Sequence, residues 1–406
     1  MTQYALRVAF FPDAYDEVDG VANTARQFES FAFRHNLPFL TVHGGTSDQL
    51  QRQGSGLRLT CRRGRFGFAL DKKHDFDLAF WRHLSAVEKQ VREFDPDILH
   101  VTGPSDVGQL GATIAHRLRI PLAASWHTNV HQYAEQRAAS LLSIFPTGLR
   151  RNLSAAIQKG SLLTTLRFYK IAQILFAPNQ ELIELMEKGT GKSCYPMYRG
   201  VDTELFDPQR RNRDGDTLVI GYVGRLTVEK NIRFLVELEQ SLAESGLTNF
   251  RFLVVGQGAE EPWLKANLRR ADFTGVLKGE TLAQAYANMD VFAFPSRTDT
   301  YGNVVLEALA SGVPAVVTES GGPRFIIRED ESGFVARDLR EFVACIRSLA
   351  AQPQLLANMR NAARSHALKA SWDAVFESVY LTYERNLRNC AAAGKKIRMR
   401  PHTVLS

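Results

Sequence analysis

VFAFPSRTDTYGNVVLEALASGVPAVVTES, residues Val291–Ser320, reads as strand, loop, helix and strand in succession. VFAFPS and PAVVTES are short runs rich in β-branched and aromatic residues, the pattern of strands buried on both faces. Between them NVVLEALASG has helical character and is stopped by Gly312 and Pro314. Asn303 is expected as the helix N-cap, with Val304 the first helical residue. That helix would point its N-terminus into the region beyond the carboxyl end of the first strand. Two carboxylates stand out. Glu307 lies one turn in, on the side of Asn303, among Val304, Val305, Leu306, Ala308, Leu309 and Ala310. A carboxylate on so apolar a helix is costly unless something satisfies it. Ribose hydroxyls would do so, as would a buried arginine. Asp299, ahead of the turn, could accept from the hydroxyls of a second sugar or could simply cap the loop.

The same alternation runs outward in both directions. LRVAFFP, LPFLTVHG, DILHVTG and PLAASWHT read as strands in the first half. VIGYVGRL, FRFLVVGQG and FTGVLKG join VFAFPS and PAVVTES in the second. Helical patterns such as VANTARQFESFAFRHN, GQLGATIAHRLR and NIRFLVELEQSLAESG separate them. Strands alternating with helices make an α/β protein of parallel sheets covered on both faces. A chain of 406 residues is too long for one ordinary core, so two domains are expected. The boundaries read as residues 1–197 for the first domain, 198–216 for a hinge and 217–373 for the second. A C-terminal helix over 374–393 is expected to pack back on the first domain, and 394–406 to form a flexible basic tail. Ligands of open parallel sheets bind beyond the carboxyl ends of the strands. Two such domains facing each other would put a ligand between them.

Composition narrows the class. Hydrophobic residues make up 45% and charged residues 23%, and no apolar run is long enough to cross a bilayer. The first residues carry no basic leader, so secretion is not expected. Cys61, Cys194, Cys345 and Cys390 lie far apart, with no zinc spacing, which fits a reducing cytoplasm and no structural metal. Net charge is +7, and the basic residues cluster. Seven Lys or Arg fall between Arg52 and Lys73, against Asp71 alone, and six fall between Arg137 and Lys170 with no acid. Such clusters suit phosphates, an anionic membrane surface or nucleic acid, or form a solvated basic face. The segment Phe145–Pro178 reads as a pair of domain helices, with a membrane-surface segment as the alternative.

Several turns could carry chemistry. GYVGRLTVEKN, Gly221–Asn231, offers Arg225 and Lys230 after a glycine turn and before a helix, a combination suited to a diphosphate or to surface charge on an ordinary turn. VVGQG supplies Gly256 and Gly258 but does not complete a dinucleotide fingerprint, so it reads as a tight turn or a nucleotide-contacting loop. His127 follows a strand in SWHTNVHQYA and could hydrogen-bond a sugar or phosphate. His131 is four residues on, without the further ligands a metal needs. Gly20, in an acidic loop leading into a helix, would permit close backbone approach to a ligand. The Asp95–Asp97 pair precedes its strand and reads as a turn.

In order and spacing these motifs resemble the family 4 retaining glycosyltransferases of the GT-B fold, from about residue 7 to 385. The family pattern of Glu, seven residues, Glu, then Ala-x-Ala-x-Gly-x-Pro is matched by Asp299, Glu307, Ala308, Ala310, Gly312 and Pro314, with Asp in the first acidic position. GYVGRLTVEKN, YRGVDTELF and FTGVLKGETLAQAYANMDVFAFPS fit the same family. The resemblance implies two Rossmann-like domains facing across an interdomain cleft. It implies that Glu307 holds a nucleotide ribose and Asp299 the hydroxyls of the transferred sugar. Tyr301, Gly302, Asn303 and Val304 would line sugar and diphosphate through backbone groups, and Arg225 and Lys230 would neutralise the diphosphate. His127 would lie near the reacting carbon, Gly20 would close on the phosphates, and Arg199 would meet an anion at the hinge.

The implied reaction is hexosyl transfer from guanosine-diphosphate mannose or a uridine-diphosphate hexose to an acceptor hydroxyl of a glycan, lipid-linked molecule or small molecule. It needs no metal or cofactor, and is expected in the cytoplasm or peripherally at the inner membrane surface. The rivals are a nucleotide-sugar epimerase of the same fold, a transferase-like binding protein without activity, and a basic nucleic-acid-binding protein. No nucleic-acid recognition module is visible.

Overall fold

The computed structural model describes residues 6–17, 20–64, 67–71, 74–77, 79–127 and 159–392. It divides into two compact units, residues 1–198 with 375–406, and residues 199–374.

The first unit begins with strand β1 (Val8–Phe11), which is wholly buried, and helix α1 (Gly20–Arg34). Strands β2 (Phe39–Gly45), β3 (Gln49–Gln53) and β4 (Gly56–Arg62) follow, then a separate hairpin of β5 (Gly67–Asp71) and β6 (His74–Asp77). Next come helix α2 (Leu84–Phe94), β7 (Ile98–Val101), helix α3 (Asp106–Leu118) and β8 (Leu122–Ser125). After residues 128–158, which lie outside the described set, come β9 (Ile174–Ala177), helix α4 (Gln180–Thr190) and β10 (Cys194–Pro196). The main sheet runs β10-β9-β8-β7-β1-β2-β4-β3. Its pairs are parallel except β3 with β4. Parallel neighbours need crossovers, and the helices supply them on the sheet faces.

The basic stretch from Arg52 to Lys73 therefore contributes strands, not a featureless charged face. Arg58 is on β4, where its guanidinium pairs with Glu29 of α1. The segment that reads as helices to Pro178 ends instead in strand β9, fully buried between β8 and β10. Four apolar residues are too few for periodicity to separate strand from helix. His131, Arg137, Arg150 and Arg151 lie outside the described residues, as does the basic tail.

In the second unit β11 (Leu218–Val223) is followed by helix α5 (Phe234–Glu244), β12 (Phe250–Val255), helix α6 (Glu261–Asn267), β13 (Ala271–Gly275) and helix α7 (Gly279–Ala287). Then come β14 (Val291–Phe294), helix α8 (Asn303–Ala310), β15 (Ala315–Thr318), β16 (Gly333–Ala336), and helices α9 (Leu339–Ala351) and α10 (Pro353–Ala367). The sheet order is β13-β12-β11-β14-β15-β16, all parallel.

Residues 199–216, read from the sequence as part of a hinge, are grouped with this second unit. Asp290 accepts from Arg211 at 2.8 Å and pairs with Arg213 and, at 3.3 Å, with Arg360. Arg364 donates to Phe206 O and Ala310 O, both at 2.7 Å. These charge-assisted bonds tie the stretch to the rest of the second unit.

The last helix, α11 (Trp372–Ala392), starts two residues earlier than its sequence pattern suggests. From Val375 it belongs to the first unit. Phe376 stacks on Phe28 with ring centroids 4.5 Å apart, and Tyr380 and Tyr383 are buried beside it.

Candidate active site in the second unit

The loops that follow β11, β12, β14 and β15 gather at the carboxyl ends of those strands, where open parallel sheets place their ligands. The turn after β11 and the turn after β12 pack backbone to backbone. Leu226 N donates to Gln257 O at 3.0 Å and Glu260 N to Leu226 O at 2.9 Å. A Cβ on Gly256 would lie 2.0 Å from Gly224 O, and one on Gly258 2.2 Å from Leu226 O. Close packing of two turns is thus a sufficient reason for both glycines.

Arg225 and Lys230 are both carried by the β11 turn. Arg225 lies 3.8 Å from Glu229 and is partly exposed. Lys230 Nζ reaches across to the β14 loop and donates to Asp299 Oδ1 at 2.5 Å. Thr298 Oγ1 donates to Glu229 O and Asn231 Nδ2 to Pro295 O, tying the same two loops together. Burial opposes ionisation of Asp299, yet Lys230, the neighbouring Ser296 hydroxyl and Arg225 outweigh it and hold the carboxyl below its ordinary range. The side chain of Asp299 is thus paired with a cation rather than capping its loop.

The helix after this loop starts one residue earlier than expected. Asn303 is the first residue of α8, and Gly302 is the N-cap, at φ 100°. That left-handed conformation favours glycine, and a Cβ there would stand 3.0 Å from Pro323. Gly302 as N-cap supplies no side-chain capping bond. Val304 is half-buried on the first turn, and Tyr301 is buried, its hydroxyl 3.4 Å from Arg199 O. The Arg199 side chain is itself 2% exposed, inside the second unit.

Glu307 is half-buried, and its partner is the Tyr286 hydroxyl of α7, which donates to Oε2 at 2.8 Å. The described residues give it no ion pair, so the buried-arginine reading falls. Burial pushes its carboxyl up to about 7, with the Tyr286 hydrogen bond opposing the rise. A carboxyl raised in this way makes Glu307 a candidate site residue.

Sequence reasoning missed several members of this group. Tyr286 sits in ETLAQAYANMD as the lone aromatic of a small-residue helix, and only the fold brings it to Glu307. Gly321 and Gly322 were also missed. Gly322 N donates to Asp299 O at 2.6 Å, and a Cβ there would lie 1.9 Å from Thr300 O. The adjacent GG in ESGGPRF was the available signal.

Gly20 and His127 belong to the first unit. Gly20 is exposed at the start of α1. His127 is buried just beyond β8, its Nε2 at 2.6 Å from Ser125 Oγ. The second unit thus carries Arg225, Lys230, Asp299 and Glu307 with the 301–304 turn, and joins Lys230 to Asp299 and Tyr286 to Glu307.

Residues 217–352 match the model of the glycosyl transferases group 1 family, and residues 21–205 that of glycosyltransferase family 4. The chain belongs to glycosyltransferase family 4. It is 29% identical to a GDP-mannose-dependent alpha-mannosyltransferase of Mycobacterium tuberculosis, over 96% of this chain and 99% of that one. It is 30% identical to the sulfoquinovosyl transferase SQD2 of Arabidopsis thaliana, over 91% of this chain and 71% of the relative. Among solved structures, sucrose-phosphate synthase from Thermosynechococcus elongatus superposes with a TM-score of 0.72 at 18% identity, over 96% of this chain and all of the other. The fold is GT-B and the enzyme is a glycosyltransferase. The epimerase reading finds no support in these comparisons. Among the described residues, no group of three or more His, Cys, Asp or Glu side chains is placed to hold a metal ion, and no helix is long and apolar enough to cross a membrane.

Proposed function

We propose that this glycosyltransferase moves a hexosyl group from a nucleoside-diphosphate hexose to an acceptor hydroxyl, with retention of anomeric configuration. The observation that carries the reading is Glu307, a carboxyl held by Tyr286 on an apolar helix just beyond the Lys230–Asp299 pair. Two ribose hydroxyls donating to Glu307 would meet the need that its apolar surroundings create. Asp299 would accept from the transferred sugar while Lys230 turns toward the diphosphate. Arg225, Lys230 and the amides at the start of α8 supply positive potential for the departing phosphate without a metal. Gly256, Gly258 and Arg199 complete the donor side, His127 donates to the transferred sugar, and Gly20 allows backbone approach to the phosphates.

None of these side chains stands out as a covalent nucleophile. In the step we favour, the bond from the anomeric carbon to the phosphate oxygen breaks. The acceptor oxygen bonds that carbon on the same face, and its proton passes to the departing phosphate. Donor identity follows the mannosyltransferase likeness, so GDP-mannose is the first choice and a UDP-hexose the second. The basic first domain suits a phosphate-bearing or membrane-surface acceptor. A thermal-shift screen with GDP, UDP, ADP and their sugars tests the donor. Stabilisation by GDP and GDP-mannose above the others is expected, and stabilisation by none would remove the reading.

A further inference from the structure

A buried chain of hydrogen bonds runs through the first unit from the C-terminal helix to His127. The Tyr383 hydroxyl of α11 bonds His100 Nδ1 on β7. His100 Nε2 lies 2.8 Å from Ser125 Oγ on β8, and Ser125 Oγ lies 2.6 Å from His127 Nε2. Tyr383, His100 and Ser125 are each 0% exposed. Burial alone pushes His100 down to about 3, so its ring is neutral and carries one N–H.

The direction of the chain follows from its far end. Among the described residues, His100 Nδ1 is the one hydrogen-bond partner of the Tyr383 hydroxyl. A phenol so deeply buried needs an acceptor for its hydrogen. Nδ1 must then be the acceptor, and the His100 hydrogen sits on Nε2. Ser125 Oγ accepts that hydrogen and donates its own to His127 Nε2. A His127 ring that carries one hydrogen then has it on Nδ1. Reversing the chain would strand the buried phenol hydrogen.

We infer that Tyr383 is a positioning residue, which acts through His100 and Ser125 to hold His127 as the Nδ1–H tautomer. Its consequence for turnover rests on the reading that His127 donates to the transferred sugar. The Nδ1–H form offers a donor to a sugar or phosphate oxygen, whereas the other tautomer would offer a lone pair. Nothing in the sequence marks Tyr383, which is 283 positions from His100.

The test is ¹⁵N spectroscopy of histidine-labelled full-length protein, with His127 assigned by its loss in His127→Ala. Wild type should show His127 as Nδ1–H. Tyr383→Phe keeps the ring packed against His100 and removes only the hydroxyl. It should give a mixture of tautomers, with kcat falling in proportion to the Nδ1–H population and KM for the donor unchanged. Ser125→Ala, which cuts the chain nearer His127, should also lose the single tautomer. A wild-type His127 found as Nε2–H, or an unaltered tautomer in Tyr383→Phe, overturns the relay. A tautomer shift without a matching change in kcat overturns the positioning role. A wild type that turns over no nucleotide sugar is a failure of the donor reading instead, and the spectrum still decides the relay.

Discussion

Glu307 is a carboxyl whose proton affinity is set by where its helix lies. Its pKa rises from 4.5 to about 7 on folding. Between those values the native chain holds a proton that the unfolded chain has lost. The stability this group contributes is therefore fully present below 4.5 and is lost as pH climbs through about 7. Asp13 in the first unit, also raised to about 7 chiefly by burial, has the same sign. Urea unfolding across this range should show stability declining toward neutral pH, with a shallower decline in Glu307→Gln. An equal decline in the variant would place the effect elsewhere. Asp299 behaves oppositely, because Lys230 favours its charge. That difference was not legible in the sequence. Position within NVVLEALA marked Glu307 as anomalous, but the answer to the anomaly, Tyr286, is 21 residues away. In sequence the shorter Asp299 departs from the family pattern, and only the folded loops show it meeting Lys230.

Short elements explain the rest of the site. The helix α8 and the strands around it were legible because their apolar runs and their stops, Gly312 and Pro314, are local. Its first turn is harder to place because Asn303 has good N-cap chemistry, whereas the cap is a glycine in a left-handed conformation. Gly302→Ala should cost about 1–3 kcal/mol, the usual penalty for forcing a side chain into such backbone. It should also raise KM for the donor by displacing the amides of α8. Differential scanning calorimetry and steady-state kinetics check both, and an unchanged Tm would mean the turn relaxes without strain. Strand β3 escaped notice because QLQRQ carries one apolar residue, and β5 and β6 because GFALD and HDFD are too short to show an alternation. Strand β9 was too short to separate from the helix before it.

At the scale of the molecule, the alternation of strands and helices made two parallel sheets legible from the outset. For residues 199–216 composition reports loop character and not what the loop binds. Arg211 and Arg213 are taken up by Asp290, which no local pattern links to them. The C-terminal helix returns to the first unit through aromatic packing. Phe376→Ala should therefore destabilise that unit by about 3–5 kcal/mol. Hydrogen exchange of the full chain should show amides of β1, β2 and β7 losing protection while those of β11 and β14 keep theirs. Equal loss in both units would contradict the assignment of this helix. Calorimetric titration of wild type and Glu307→Gln with GDP asks whether the second unit holds a nucleoside diphosphate through Glu307. Saturable binding to one site, weakened about tenfold in the variant by loss of the charged acceptor, is the expected result. Unchanged affinity in Glu307→Gln, with wild-type binding intact, would contradict the account.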